Sequence, residues 1–196
     1  DESFKQAELA LFNNLVEQGH IYKGKRVVWY SPSLGTVLAN SQVNYKKVSC
    51  EGLYAVLDGE FLIFTTTEWT LSANQAVCLN PNIQYVKTEH GWICGEFFAV
   101  QANIPHKKVS LNEIPQTYNG KPVLFDSFVT ETGTGVVHLC GGHGEIDNEV
   151  LKKNGIEGKT VCDLSQLAVH LTNYKFDGEV YKRDIIEHDY PFDDRT

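Results

Sequence analysis

Glu60-Phe61-Leu62-Ile63-Phe64-Thr65-Thr66-Thr67-Glu68-Trp69-Thr70-Leu71-Ser72-Ala73-Asn74 joins an apolar run directly to three consecutive hydroxyl side chains. Phe61 to Thr65 reads as a β-strand, since aromatic and β-branched residues fit a pleated, half-buried surface. The preceding Leu57-Asp58-Gly59-Glu60 reads as a hairpin turn. Side chains alternate along a strand, so Thr65 and Thr67 belong to one face and Thr66 to the other. All three line one pocket only if the strand ends among them.

Outward from this stretch the chain continues in short β-type runs punctuated by Gly, Asn, Asp and Pro. They cover Arg26 to Tyr30, Leu53 to Leu57, Gln75 to Leu79, Gln84 to Lys87, Gly91 to Cys94, Val123 to Phe125 and Thr134 to Leu139. Helical spacing at Phe4, Ala7, Leu11, Phe12 and Leu15 predicts a first helix stopped at Gly19. Two further helices are expected at Asp147 to Asn154 and Leu164 to Leu171. The pattern is strand-rich α+β, and a closed or partly closed barrel with peripheral helices is the expected architecture.

The 196 residues are enough for one substantial core, and the even spread of apolar residues favours one domain. Hydrophobic residues make up 42% and charged residues 21%, ordinary soluble values with no run of about 18 apolar residues for a bilayer. The net charge of −8 is the wrong sign for gripping nucleic acid chiefly through phosphates, so any RNA contact is local. The five cysteines are odd in number and widely spaced, which reads as buried thiols in a reducing compartment rather than a disulfide framework.

A second informative stretch is Gly133-Thr134-Gly135-Val136-Val137-His138-Leu139-Cys140-Gly141-Gly142-His143-Gly144-Glu145-Ile146-Asp147. Together the two stretches resemble the editing domain of isoleucyl-tRNA synthetases. There the threonine peptide commonly reads Thr-Thr-Thr-Pro-Trp-Thr-Leu-Pro-Ala-Asn, and the later segment reads Gly-Thr-Gly-Ala-Val-His-x-Ala-Pro-Gly-His-Gly-x-x-Asp. Residues 17–24, 29–33 and 188–196 extend the resemblance to nearly the whole chain. It implies a helix from the parent enzyme at 1–19, an editing domain at 20–187 and a segment returning to the synthetase body at 188–196. The parent's His-Ile-Gly-His and Lys-Met-Ser-Lys-Ser signatures are not in the sequence, nor is any methionine. An excised fragment without aminoacylation activity is expected, monomeric, with no membrane contact and a cytoplasmic or organellar parent.

The resemblance further implies hydrolysis of the ester between valine and the 3′ end of isoleucine tRNA. One methylene separates the two amino acids by only about 1–3 kcal/mol in a synthetic pocket, hence the need for a second sieve. By carry-over, Thr65, Thr66, Thr67 and Thr70 supply hydroxyls to the substrate carbonyl, the ribose or an attacking water. Phe64 and Trp69 line the valine side chain, Asn74 lies near the ribose, His138 limits side-chain size and Asp147 receives the α-ammonium. His143 is a further substrate-binding candidate. No cofactor or metal is expected for editing; ATP and Mg belong to the full-length parent.

Plainer readings accompany each assignment. Threonine suits strands, His138 suits a structural hydrogen bond, Trp69 suits a core, and Asp147 suits a cap of its own helix. The chain departs from the family at Glu68, Ser72 and Gly141, each standing where proline is usual. Loss of fixed φ there is expected to loosen the loops, and Glu68 adds negative charge near the ester. Valyl and leucyl editing domains, whose peptide reads Thr-Thr-Arg-Pro, are the alternative; Leu34 to Asn40 resembles the leucyl type. A degenerate tRNA-binding or structural domain is a further alternative. A metal hydrolase using Cys140, His143 and His138 or Asp147 lacks a second ligand pair at zinc spacing.

Overall fold

A computed structural model describes residues 1–24, 26–31, 33–160 and 178–193. Helix α1 (Glu2–Glu17) begins at Asp1, whose carboxylate accepts from the Ser3 N–H, and none of its residues is buried. A small hairpin of β1 (Trp29–Ser31) and β2 (Thr36–Leu38) follows. The long strand β3 (Val43–Leu57) then pairs with β4 (Phe61–Thr65) through the expected turn, where Asp58 and Gly59 both have positive φ.

Strands β5 (Ala76–Leu79), β6 (Tyr85–Thr88) and β7 (Ile93–Gly95) lead into helix α2 (Glu96–Gln101). Next come β8 (His106–Val109), β9 (Thr117–Tyr118), β10 (Lys121–Phe125), β11 (Val137–Leu139), helix α3 (Glu145–Lys153) and β12 (Glu179–Asp193). The larger sheet has strand order β12-β3-β4-β7-β6-β8, the second β11-β5-β10-β9. Strand-rich α+β is the architecture, but the sheets among the described residues are open and do not close into the expected barrel. The helix expected at 164–171 lies outside the described residues.

Alternation along the strands sorts the apolar side chains into layers. Leu53, Ala55, Leu57, Phe61 and Ile63 of the larger sheet meet Val77, Leu79 and Val123 of the smaller one in the main core. Val56, Leu62, Val86 and Cys94 face the opposite way, packing with Ala99 of α2. Ala76, Cys78 and Leu139 face away from the main core and pack against Val150 and Leu151 of α3. The order is therefore helix, sheet, sheet, helix. Fully burying a side chain such as Phe61 contributes about 1.5–3 kcal/mol to the stability of this inter-sheet layer.

The layers position the polar residues. Thr65 continues the inward row of Phe61 and Ile63, and His138 pairs with the inward-facing Val77. Both polar side chains therefore face the same inter-sheet space. β11 is shorter than the expected run from Thr134, because Gly133 and Gly135 both take φ near +69° and turn the chain just before it.

Candidate functional site

Strand β4 ends at Thr65, which decides what the threonine row can do. Thr66 occupies a bend, and a 3-10 helix follows at Glu68–Ala73 with Thr67 as its N-cap. The turn brings the Thr67 N–H to Thr65 Oγ1 at 3.1 Å and the two hydroxyls to 3.3 Å. Thr67 Oγ1 also lies 3.5 Å from Thr70 Oγ1. Thr65, Thr67 and Thr70 thus form a cluster, while no described hydrogen bond joins Thr66 to it.

Thr70 carries the link to the second motif. Its hydroxyl donates to Thr67 O at 2.7 Å and lies 3.0 Å from His138 Nε2. The hydroxyl has one hydrogen, and the short carbonyl contact assigns it there, so Thr70 Oγ1 accepts from His138 Nε2–H. That assignment leaves Nδ1 bare, and it is buried without a partner. His138 is 7% exposed, and burial lowers its pKa to about 4, so the ring is neutral at physiological pH.

Asp147 lies in the first turn of α3, whose N-cap is Gly144. Its Oδ2 accepts from the Cys140 N–H at 2.9 Å, tying the helix start to the end of β11. Burial raises its pKa, partly opposed by the backbone hydrogen bonds it receives. A side chain at position 144 would collide with this carboxylate, its Cβ lying 2.8 Å from Asp147 Cγ, so the glycine is needed for the approach. Trp69 meets His143 edge-to-face at 4.9 Å between ring centroids, bringing the two motifs together a second time. Burial lowers the His143 pKa.

Two expected residues are engaged elsewhere. Phe64 points to the opposite face from Thr65, packing against the Tyr54 ring at 4.7 Å and against Gly52 and Gly133. Asn74 is buried with both ends committed: its amide donates to Ala76 O, and its carbonyl accepts from the Tyr118 hydroxyl. Neither side chain joins the threonine–histidine cluster.

The three residues that stand in place of proline each make contacts of their own. Glu68 Oε2 lies 2.9 Å from Arg183 Nη2, and the Ser72 hydroxyl donates to Trp69 O at 3.0 Å. Gly141 donates its N–H to Gln75 Oε1 at 3.3 Å, a bond proline has no hydrogen to make. Its added Cβ would lie 2.8 Å from Gly158 Cα, so glycine also permits close passage of residues 157–159. Gln75 accepts again from Lys159 N–H at 2.7 Å and donates to Glu157 O at 2.7 Å, holding that segment to the site loop. Nothing in the local sequence marks Gln75 or Arg183, because their partners are remote in the chain.

The buried Cys78 and Cys94 thiols have their pKa pushed up to about 12 by desolvation, which makes them inert. Among the described residues, no group of three or more His, Cys, Asp and Glu side chains is placed to share a metal ion.

Residues 1–170 match the family described as tRNA synthetases class I (I, L, M and V). The isoleucine–tRNA ligase of Latilactobacillus sakei subsp. sakei (strain 23K) is 30% identical over 243 residues, covering 98% of this chain and 26% of that protein. The isoleucine–tRNA ligase of Bacillus cereus (strain B4264) is 29% identical over 246 residues, covering 100% of this chain and 26% of that protein. The chain thus spans about a quarter of the length of the curated relatives it matches. A solved structure, described as GlLeuRS-CP1, is similar with a TM-score of 0.40 and 16% identity, covering 49% of each chain.

Proposed function

The chain belongs to the class I tRNA synthetases (I, L, M and V), and we propose that it is a proofreading module hydrolysing valine esterified to isoleucine tRNA. The observation that carries this reading is the meeting of Thr65, Thr67 and Thr70 with His138, residues far apart in sequence. The identity to isoleucine–tRNA ligases supports the choice of amino acid.

In this reading Asp147 receives the α-ammonium of the bound amino acid through charge-assisted hydrogen bonds. A carboxyl whose pKa is raised by burial gains from a cation that restores its charged form. His138, held by Thr70, is a neutral rigid wall, and an additional methylene against it costs on the order of 1–3 kcal/mol in overpacking. A ring with pKa about 4 and its Nε2 proton committed to Thr70 is a poor proton acceptor at neutral pH. Hydrolysis then rests on position. The exposed Thr67 and its partner Thr65 orient the ester and a water, with the hydroxyls stabilising charge as it develops.

The partners proposed are the charged 3′ end of isoleucine tRNA and the synthetase body, reached through residues 1–19 and 188–196. The acidic balance of the chain supports a contact confined to that 3′ end. Deacylation of valyl- and isoleucyl-charged isoleucine tRNA, side by side with this chain and with the full-length synthetase, tests the reading. Selective loss of the valyl ester is expected. Equal, background loss of both esters in both proteins overturns it.

A further inference from the structure

We propose that Arg183 is a positioning residue for the threonine loop, doing through an ion pair what a fixed backbone angle does elsewhere; this rests on the reading of that loop as the hydrolytic site. The strand register supplies the geometry. Arg183 pairs with Leu53, and Leu53 pairs with Thr65, so the three lie in one row across β12, β3 and β4 and on one face. From that row the guanidinium extends to Glu68, three residues beyond Thr65, with Nη2 2.9 Å from Oε2. Its Nη1 lies 3.4 Å from Oε1 of Glu51, which sits two residues before Leu53 on β3.

Two consequences follow from this triad. The Glu68 carboxylate, 21% exposed at its side chain, lies against a cation that offsets its negative charge. The first residue of the 3-10 helix is also tied to the rigid larger sheet, so the helix that carries Thr70 starts from a fixed point. A guanidinium occupied by two carboxylates on its own protein is poorly placed to serve as a phosphate contact, despite its position in a Lys182–Arg183 basic pair.

Position 68 makes a discriminating test possible. It follows the N-cap Thr67, whose φ of −128° and ψ of 66° lie outside the helical region, and it is the first residue of the helix. Proline fits there, since the first helical N–H has no intrahelical acceptor to lose. The variants are Arg183→Gln, Glu68→Gln, their double, and Glu68→Pro combined with Arg183→Gln. The readouts are amide hydrogen exchange over residues 66–70 and valyl-tRNA deacylation, in the full-length synthetase, with the unfolding midpoint of each variant as the folding control.

Each Gln variant is expected to speed exchange over 66–70 about two- to fivefold, the range of a partly exposed pair, and to lower deacylation similarly. The double should be no worse than either single, because both remove the same contact. Glu68→Pro should return Arg183→Gln toward the parent in both readouts. Additive effects of the two Gln changes, or unchanged exchange in both, overturn the proposal. Coupled exchange in a protein that hydrolyses neither ester sustains the tie and refutes the hydrolytic reading instead. Unchanged exchange and rate in an active protein do the reverse.

Discussion

Replacing Thr70 by valine keeps the side-chain shape and removes only the hydroxyl that joins the two motifs. In the native structure that oxygen accepts from His138 Nε2–H at 3.0 Å and donates to Thr67 O at 2.7 Å. Thr67 O keeps a second donor, the Thr70 N–H at 2.9 Å, so its loss is small. His138 keeps nothing, since Nδ1 is already buried without a partner and the ring is 7% exposed. The cost is that of one newly orphaned buried donor, about 1–3 kcal/mol, with no cavity contribution because the shape is conserved. Urea unfolding should show a lower midpoint with an unchanged slope, whereas Thr70→Ser, which retains the hydroxyl, should lie much closer to the parent. Nitrogen-15 spectra of the imidazole give a second readout: the parent should show the proton on Nε2, and Thr70→Val should lose that uniform assignment. A parent protonated on Nδ1, or a valine variant as stable as the parent, would refute the hydrogen-bond assignment.

His138→Ala should admit the isoleucyl ester, so that deacylation of valyl- and isoleucyl-tRNA becomes comparable; continued rejection of isoleucine would contradict the size-limiting role. Asp147→Asn keeps the size of the side chain but removes the charge proposed to hold the ammonium, and should abolish most valyl-tRNA deacylation while costing about 1 kcal/mol at the Cys140 contact. Gly141→Ala places a methyl 2.7 Å from Leu151 Cδ1 and 2.8 Å from Gly158 Cα, and should destabilise by about 1–3 kcal/mol in chemical denaturation. His138, with a folded pKa of about 4 against about 6.5 unfolded, binds its proton more readily when unfolded. Its contribution is therefore complete above pH 6.5 and is lost as pH falls through 4, by about 3 kcal/mol in all. Asp147, whose folded pKa is raised, titrates with the opposite sign, so the His138 share is read as the parent minus His138→Gln across pH 4–7.

The elements legible in the sequence are those whose signal is local. Phe61–Thr65 matches its expected strand because aromatic and β-branched residues run up to a hydroxyl row, and Asp58-Gly59 takes the positive φ that such a turn requires. Helices α1 and α3 fall within two residues of expectation, although the N-cap of α3 is Gly144 and not Asp147, which lies in its first turn. The ribbon of β3 with β12 was not legible over most of its length. Residues 44–52 are mostly polar and mostly exposed, so no alternation toward a core marks them, and their pairing with residues 184–192 is a long-range event. The same distinction runs through the site. Thr65, Thr67, Thr70, His138 and Asp147 stand in motifs readable along the chain, whereas the face of Phe64 and the double engagement of Asn74 depend on strands that come together only in the fold.

The departures at 68, 72 and 141 show why a residue's local preference is an incomplete guide to the stiffness of its loop. Proline stiffens by narrowing φ in the unfolded and folded chain alike, an effect that needs no partner. The contacts found here stiffen only the folded state and each depends on a partner: Arg183 for Glu68, the Trp69 carbonyl for Ser72, Gln75 and Gly158 for Gly141. Two of those partners lie on segments far from the motif they support, Arg183 on the last strand and Gly158 beyond α3. Loop geometry and the integrity of those segments are consequently coupled in this chain. A substitution at Gly158, which would press a Cβ to 2.6 Å from Gly141 O and 2.7 Å from Asn148 Nδ2, acts on the same loop that places Asp147. The physical reach of the site therefore includes residues 75, 158 and 183, which no motif contains.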